Sequence, residues 1–193
     1  MSRRKVFVAG EGKHDIGGRA NQRPFQDEEP GAVQTLLAKI APDRCEFIGG
    51  TAWKNIRKFQ VGRHAQSEVR NVLGAALQAA ESGADLLALM RDRDGDADRE
   101  RAIWTGIKLV QEVDVIGGVA VEALEAWVLA VNGDRRSESD ARPKDRLKRE
   151  YGIQTREGIV AALAQGSLDC LPVDAISLRR WLERAQSVLG DGR

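Results

Sequence analysis

Asp85-Leu86-Leu87-Ala88-Leu89-Met90 is a near-continuous apolar run, and Arg91-Asp92-Arg93-Asp94-Gly95-Asp96-Ala97-Asp98 follows it without a break. A short run with no polar alternation is the signature of a strand covered on both faces, which is where parallel sheets put their strands. The charged residues that follow then fall at the carboxyl end of that strand. Two flanking segments repeat the pattern. Lys5 to Ala9 is a short apolar strand closed by Gly10-Glu11-Gly12, and Val113 to Val121 is another, interrupted at Gly117-Gly118. Cys45 to Ile48 supplies a fourth, stopped by Gly49-Gly50.

Between these strands the apolar period changes to three and four. Val33, Leu36, Leu37 and Ile40 predict a helix that ends before Pro42, with Pro30 as an early helical residue. Val69, Val72, Leu73, Ala76, Leu77 and Ala80 predict a second, with Gly83 past its end. Arg99 to Val110 predicts a third and Glu122 to Val131 a short, strongly apolar fourth. Residues 13–29 show no periodicity and read as a long loop. Parallel strands need crossovers of about a dozen residues or more, so this alternation predicts an α/β unit with a mainly parallel four-stranded sheet. We assign it to residues 1–132. From 133 to 193 only helices are predicted, over Asp145–Glu150, Arg156–Ala164 and Ser177–Leu189, as a helical appendage packed on the same domain.

Composition narrows the function classes. The chain has 193 residues, of which 42% are hydrophobic and 31% charged, a globular balance. No apolar run reaches membrane-spanning length and the start does not resemble a signal peptide, so the expected address is cytoplasmic. Cys45 and Cys170 stand alone, without the spacing of a zinc site or a disulfide framework. A net charge of +1 excludes binding to nucleic acid through bulk charge and directs attention to local patches. The most basic window, residues 53–70, carries Lys54, Arg57, Lys58 and Arg63, with Trp53 and Phe59 among them. It reads either as a nucleic-acid grip or as a solvated helix face. Residues 134–150, with seven basic and five acidic side chains, read as a salt-bridged solvated surface.

In a parallel sheet, ligands bind beyond the carboxyl ends of the strands. Three of the predicted strands end in acids: Glu11 after the first, Asp92 and Asp94 after the third, Glu122 and Glu125 after the fourth. If strand geometry continues past Met90, Asp92 and Asp94 face the same side and converge while Arg93 points away. Two carboxylates about 5 Å apart repel by roughly 3 kcal/mol at an effective dielectric near 20, so the cluster needs protons, arginines or cations. An all-oxygen set favours Mg²⁺ or Mn²⁺, which points toward phosphoryl chemistry. Calcium-loop and P-loop readings fail on spacing: Ala97 stands where an EF-hand requires glycine, and Phe7 where a P-loop does. Structural roles compete with these assignments. Asp96 or Asp98 suits the cap of the helix near Arg99, capping and site roles both stay open for Glu122 and Glu125, and Trp104, Trp127 and Trp181 suit core positions.

Strand-Glu11-Gly12-Lys13-x-Asp15, followed by an apolar strand and Asp92-x-Asp94, resembles the Toprim fold of topoisomerases, primases and OLD-type nucleases. More narrowly, Val121-Glu122-Ala123-Leu124-Glu125-Ala126-Trp127-Val128-Leu129-Ala130 resembles the Glu-Ala-Trp-Leu-Leu-Ala helix of an uncharacterised, RloB-related Toprim-like family. Pro143-Lys144 and Ser177-Leu178-Arg179-Arg180-Trp181-Leu182 extend the likeness over nearly the whole chain. The resemblance implies a metal-dependent phosphodiesterase or nuclease acting on DNA or RNA. In it Asp92 and Asp94 bind Mg²⁺ or Mn²⁺, Glu11 is a general acid or base or a further ligand, and Glu125 and Glu122 belong to the acidic rim. Lys13 offsets charge or holds phosphate. It also implies a role in bacterial defence beside an ATPase partner. One departure favours a different class: Val131 stands where the family carries Asp, which suits a non-catalytic partner or sensor subunit.

Overall fold

The computed structural model of the protein describes residues 3–17, 29–57 and 66–190. Its centre is the apolar run at 86–89. Leu86, Leu87, Ala88 and Leu89 form β3 (Leu86–Leu89) and are all fully buried. β3 lies between β1 (Arg4–Gly10) and β5 (Asp114–Ile116), and β2 (Cys45–Ala52) pairs with the outer side of β1. The order β2-β1-β3-β5 is parallel throughout. After Met90 the central strand steps sideways into a short second ladder, in which β4 (Arg91–Asp92) pairs with β6 (Val119–Ala120), again in parallel. The glycines at 117 and 118 separate β5 from β6, at the interruption the sequence predicts.

Side-chain alternation sends neighbouring residues of each strand into two different cores. Val6, Val8, Leu86, Ala88, Met90 and Ile116 point to one face, Phe7, Ala9, Leu87, Leu89 and Val119 to the other. The second face is covered by α3 (Ser67–Glu81) and α4 (Ala97–Leu109), through Val72, Ala76 and Ile103. The first is covered by α2 (Ala32–Ile40), α5 (Leu124–Val131), α6 (Pro143–Tyr151), α7 (Arg156–Gln165) and α8 (Ile176–Leu189). A central leucine such as Leu87 is thus packed on every side, and truncation to alanine costs about 2–5 kcal/mol.

The helices after residue 133 share the first core through Leu147, Ile159, Leu163, Leu178 and Trp181. Trp181 and Trp127 contact one another with ring centroids 5.8 Å apart, and the Trp181 indole N–H donates to the Leu89 carbonyl at the end of β3. Most charged side chains of residues 134–150 are exposed and several form salt bridges, as their composition suggests, but Asp134, Glu138 and Arg146 are buried. Arg146 is buried among Asp134, Asp140 and Glu150. Glu138, 8% exposed, accepts hydrogen bonds from the backbone N–H groups of Ser177 and Leu178 and from the Ser177 hydroxyl at the start of α8. The same Ser177 hydroxyl accepts from the Trp127 indole at 2.7 Å, so a buried carboxylate ties α8 to α5. Charge composition alone does not distinguish acids that meet water from acids that satisfy helix termini.

Four element boundaries differ from the sequence reading, and the first is that of β2, which runs through Gly49 and Gly50 to Ala52 instead of stopping at them. Lys13–Ile16 forms a helical turn, α1, at the start of the segment read as a loop. Pro30 precedes α2 instead of opening it, with Gly31 between them at the cap. A side chain at Gly31 would lie 2.4 Å from the Gly17 nitrogen, so the close approach of these two segments requires glycine there. Finally, α5 begins at Leu124, because Glu122 adopts a left-handed backbone (φ 63°) and lies outside the helix. No helix among the described residues is long and apolar enough to cross a membrane.

Candidate active site

The carboxyl ends of β1 and β4 and the first turns of α5 and α6 converge on a cleft of about 270 Å³. After β1 the chain turns through Glu11-Gly12 into α1, which folds Asp15 back beneath the turn. The Asp15 carboxylate accepts from the backbone N–H groups of Glu11 (2.5 Å) and Gly12 (3.2 Å). A Cβ at Gly10 would lie 2.5 Å from that of Asp15, so glycine at the strand end is what lets the aspartate sit there. Strand β4 delivers Asp92, 5% exposed, whose Oδ1 accepts from the Leu124 N–H at 2.9 Å. Asp92 thereby caps α5 from a neighbouring strand and sets the position of Glu125 in its first turn. Lys144 comes from the first turn of α6, with its Nζ 3.7 Å from Asp92 Oδ2. Lys13 and His14 complete the wall.

Three carboxyls therefore face one another. Burial is the main cause that pushes Asp15 well above the usual carboxylate range, and the charges of Asp92 and Glu125 add to it. Asp92 is pushed up to about 6, again chiefly by burial, with Lys144 and the Leu124 N–H opposing and Glu125 and Asp94 reinforcing. Burial also raises Glu125, whose Oε2 is shielded from solvent and has no hydrogen-bond partner. Burial works against the charge of Lys144, but Glu125, Asp92 and Asp94 together outweigh it and hold the ammonium more firmly protonated. His14 is pushed down by burial and by the neighbouring charges of Lys13, Lys144 and Arg156.

The other predicted acids have separate partners. Glu11 lines the cleft and forms an ion pair with Arg91. Arg91 also approaches Glu68, which accepts from the Trp53 indole at 2.7 Å and pairs with Arg99 at 3.3 Å. Asp94 pairs with Arg99 at 2.7 Å, and Glu122 with Arg93 at 2.7 Å. The convergence of Asp92 with Asp94 expected from strand alternation does not occur. The strand stops at Asp92, Asp94 turns with a left-handed backbone (φ 50°), and the Arg99 guanidinium binds the carbonyls of Asp92 and Arg93 together with the Asp94 carboxylate. Glu122 and Glu125 do not share a helix face for the same kind of reason, since Glu122 precedes α5 in a left-handed conformation. Such conformations cost about 1–3 kcal/mol in non-glycine residues and cluster at functional sites. Asp94 and Glu122 line a second cleft beside the first, and Lys144 borders both. Asp96 is the helix cap, accepting from the N–H groups of Asp98 and Arg99.

In the basic window, Lys54 and Arg57 are exposed and do not line the cleft, and Arg57 lies 3.7 Å from Glu81. Trp53 is 7% exposed beneath Arg91, so its ring is unavailable for stacking on a base. Lys58 and Arg63, with Phe59 and His64, lie outside the described residues.

The functional residues that sequence reasoning missed are Asp15, Lys144 and the arginines at 91, 93 and 99. Asp15 had a signal in the Glu-Gly-Lys-x-Asp spacing, and Lys144 in its place just inside a helix after proline. Among the described residues, no three Asp, Glu, His or Cys side chains form a ready-made ligand set for a metal ion. The donor chemistry of the cleft nonetheless suits a hard dication. The acids that face one another there offer only carboxylate oxygens, among them the unpartnered Glu125 Oε2, and Lys144 and Lys13 stand beside them as cations. The fit is to an ion that keeps most of its waters and takes one or two carboxylates, as Mg²⁺ does. Comparison of the chain with protein-family models, with curated proteins and with solved structures finds no match in any of the three.

Proposed function

We propose that the cleft is the active site of a Mg²⁺-dependent, Toprim-like phosphodiesterase that acts on DNA or RNA. The observation that carries this reading is the unpartnered Glu125 Oε2 beside buried Asp92 and Asp15, with Lys144 as counter-charge. Asp92 and Glu125 would hold Mg²⁺ or Mn²⁺. When bound, such an ion polarises a phosphoryl oxygen and lowers the pKa of water.

The chain's own residues have separable tasks in this reading. Asp15 braces the turn that presents Glu11, and Arg91 holds the Glu11 carboxylate at the cleft wall, where it serves as general base or acid. Lys13 and Lys144 attract the phosphodiester and offset the acids. Asp92 links two of these parts, since its carboxylate both faces the cleft and fixes the α5 N-terminus that carries Glu125. The test is cleavage of single- and double-stranded DNA and RNA with Mg²⁺ or Mn²⁺ by the wild type and Asp92→Asn. Metal-dependent cleavage lost in the variant is the expected result, and equal cleavage by both contradicts the assignment.

A second reading, a non-catalytic partner or sensor subunit of a defence complex with an ATPase, is favoured by the pairing of Glu11, Asp94 and Glu122 with arginines. It predicts no Mg²⁺ or Mn²⁺ binding at millimolar concentration together with a stable complex with an ATPase.

A further inference from the structure

The three arginines at the strand ends and Lys144 neutralise acids in different ways. Arg93 and Arg99 contact their carboxylates at 2.7 Å, within hydrogen-bonding distance. The Lys144 ammonium stands 3.7 Å from Asp92, beyond that distance, on a side chain that is 59% exposed. Its attraction to the cleft is therefore Coulombic and weakly directional, on a flexible four-carbon stem. Lys144 also lies on the wall shared by the two clefts. On one side it meets the charges of Asp92, Glu125 and Asp15, and on the other the cleft holds Asp94, Glu122 and Asp145 beside Arg142. The ammonium has acidic surroundings in either position.

We infer that Lys144 is a built-in, displaceable counter-cation, which competes with a divalent ion for Asp92 and Glu125 and withdraws toward the second cleft when the ion enters. This rests on the metal-dependent reading above. The inference assigns Lys144 control over cation affinity: while the ammonium stays near the acids the cleft tolerates the absence of metal, and that tolerance weakens metal binding. An arginine in its place retains the competing charge, whereas a neutral side chain of similar length removes it.

The test is Mn²⁺ binding to the full chain, followed by electron paramagnetic resonance of the free ion at pH 8.5, well above the value of about 6 to which Asp92 is raised. Lys144→Gln binds Mn²⁺ at least tenfold more tightly than the wild type, the direction Coulomb's law gives for removing a unit charge a few ångströms from a dication. Lys144→Arg stays within about threefold of the wild type, and Asp92→Asn added to Lys144→Gln abolishes the gain. Equal or weaker binding by Lys144→Gln, with its thermal unfolding unchanged, overturns this inference and leaves the metal site standing. Absence of Mn²⁺ binding by both the wild type and Lys144→Gln overturns the inference and the metal-dependent reading together.

Discussion

Two sets of carboxylates lie within a few residues of one another, and they are neutralised on opposite terms. Glu11, Asp94 and Glu122 each have a guanidinium: Arg91, Arg99 and Arg93. Asp15, Asp92 and Glu125 share one lysine. The first set is a charge-matched frame that closes the strand ends, and Glu68 extends it by joining Arg91 and Arg99 while accepting from the Trp53 indole. The second set is under-neutralised and buried, and burial is the main reason its members hold protons above their ordinary range. Charge matching favours stability, and deficient matching favours capture of a cation, so under the proposed function the division separates acids held in place by arginines, Glu11 as base or acid among them, from acids that would take up the ion.

Substitutions can sharpen or break this division. The largest effect is expected on activity: Asp92→Asn and Glu125→Gln each lower metal-dependent cleavage by about 10²-fold or more, whereas Asp94→Asn and Glu122→Gln cost less than about tenfold. Steady-state cleavage assays on the four variants check this, and a reversed ranking would remove the division. Next, Glu68→Ala leaves Arg91 and Arg99 without their shared acid and destabilises the fold by about 3 kcal/mol in urea denaturation. A loss below about 0.5 kcal/mol would mean that the frame contributes no more than an ordinary surface ion pair.

The cleft acids should behave in the opposite sense. Because the native state holds a proton on Asp92 up to about pH 6, it binds more protons than the unfolded chain between about pH 4 and 6. Stability from this group is therefore lost as the pH rises through that interval. Asp92→Asn, which keeps an acceptor for Leu124, stabilises the protein by about 2 kcal/mol at pH 8, and the gain shrinks toward zero near pH 4. Urea titrations at several pH values measure it, and destabilisation at pH 8 would show that Asp92 is charge-matched after all. The smallest effect is local: Asp96→Ala removes the α4 cap and costs about 1 kcal/mol with no change in cleavage.

The sheet was legible in the sequence because its signals are short-range. Residues 86–89 are apolar without interruption, and the glycines after β1 and between β5 and β6 mark strand ends, so the four parallel strands follow from local pattern. The C-terminal helices follow from the three and four spacing, and they occur within one or two residues of the predicted spans. The candidate site was legible only as a list of acids. That Asp92 turns inward while Asp94 turns out depends on where β4 stops and on the hold of Arg99, five residues beyond Asp94, on three oxygen atoms. Asp15 is held by backbone N–H groups three and four residues earlier, a local contact that its spacing from Glu11 allows, whereas Lys144 is drawn in by carboxylates on other elements and depends on tertiary placement. Within the otherwise exposed, salt-bridged stretch 134–150, Glu138 is an exception set by tertiary placement, because it is buried by the N–H groups of a helix that begins nearly forty residues later.

The central claim is that the under-neutralised set, and not the arginine-paired set, takes up a divalent cation. Anomalous diffraction from crystals grown with Mn²⁺ tests it most directly. A peak between Asp92 and Glu125, with Lys144 moved aside and the Arg93–Glu122 and Arg99–Asp94 pairs intact, is the predicted result. A peak at Asp94 and Glu122, or none at millimolar Mn²⁺, would contradict it.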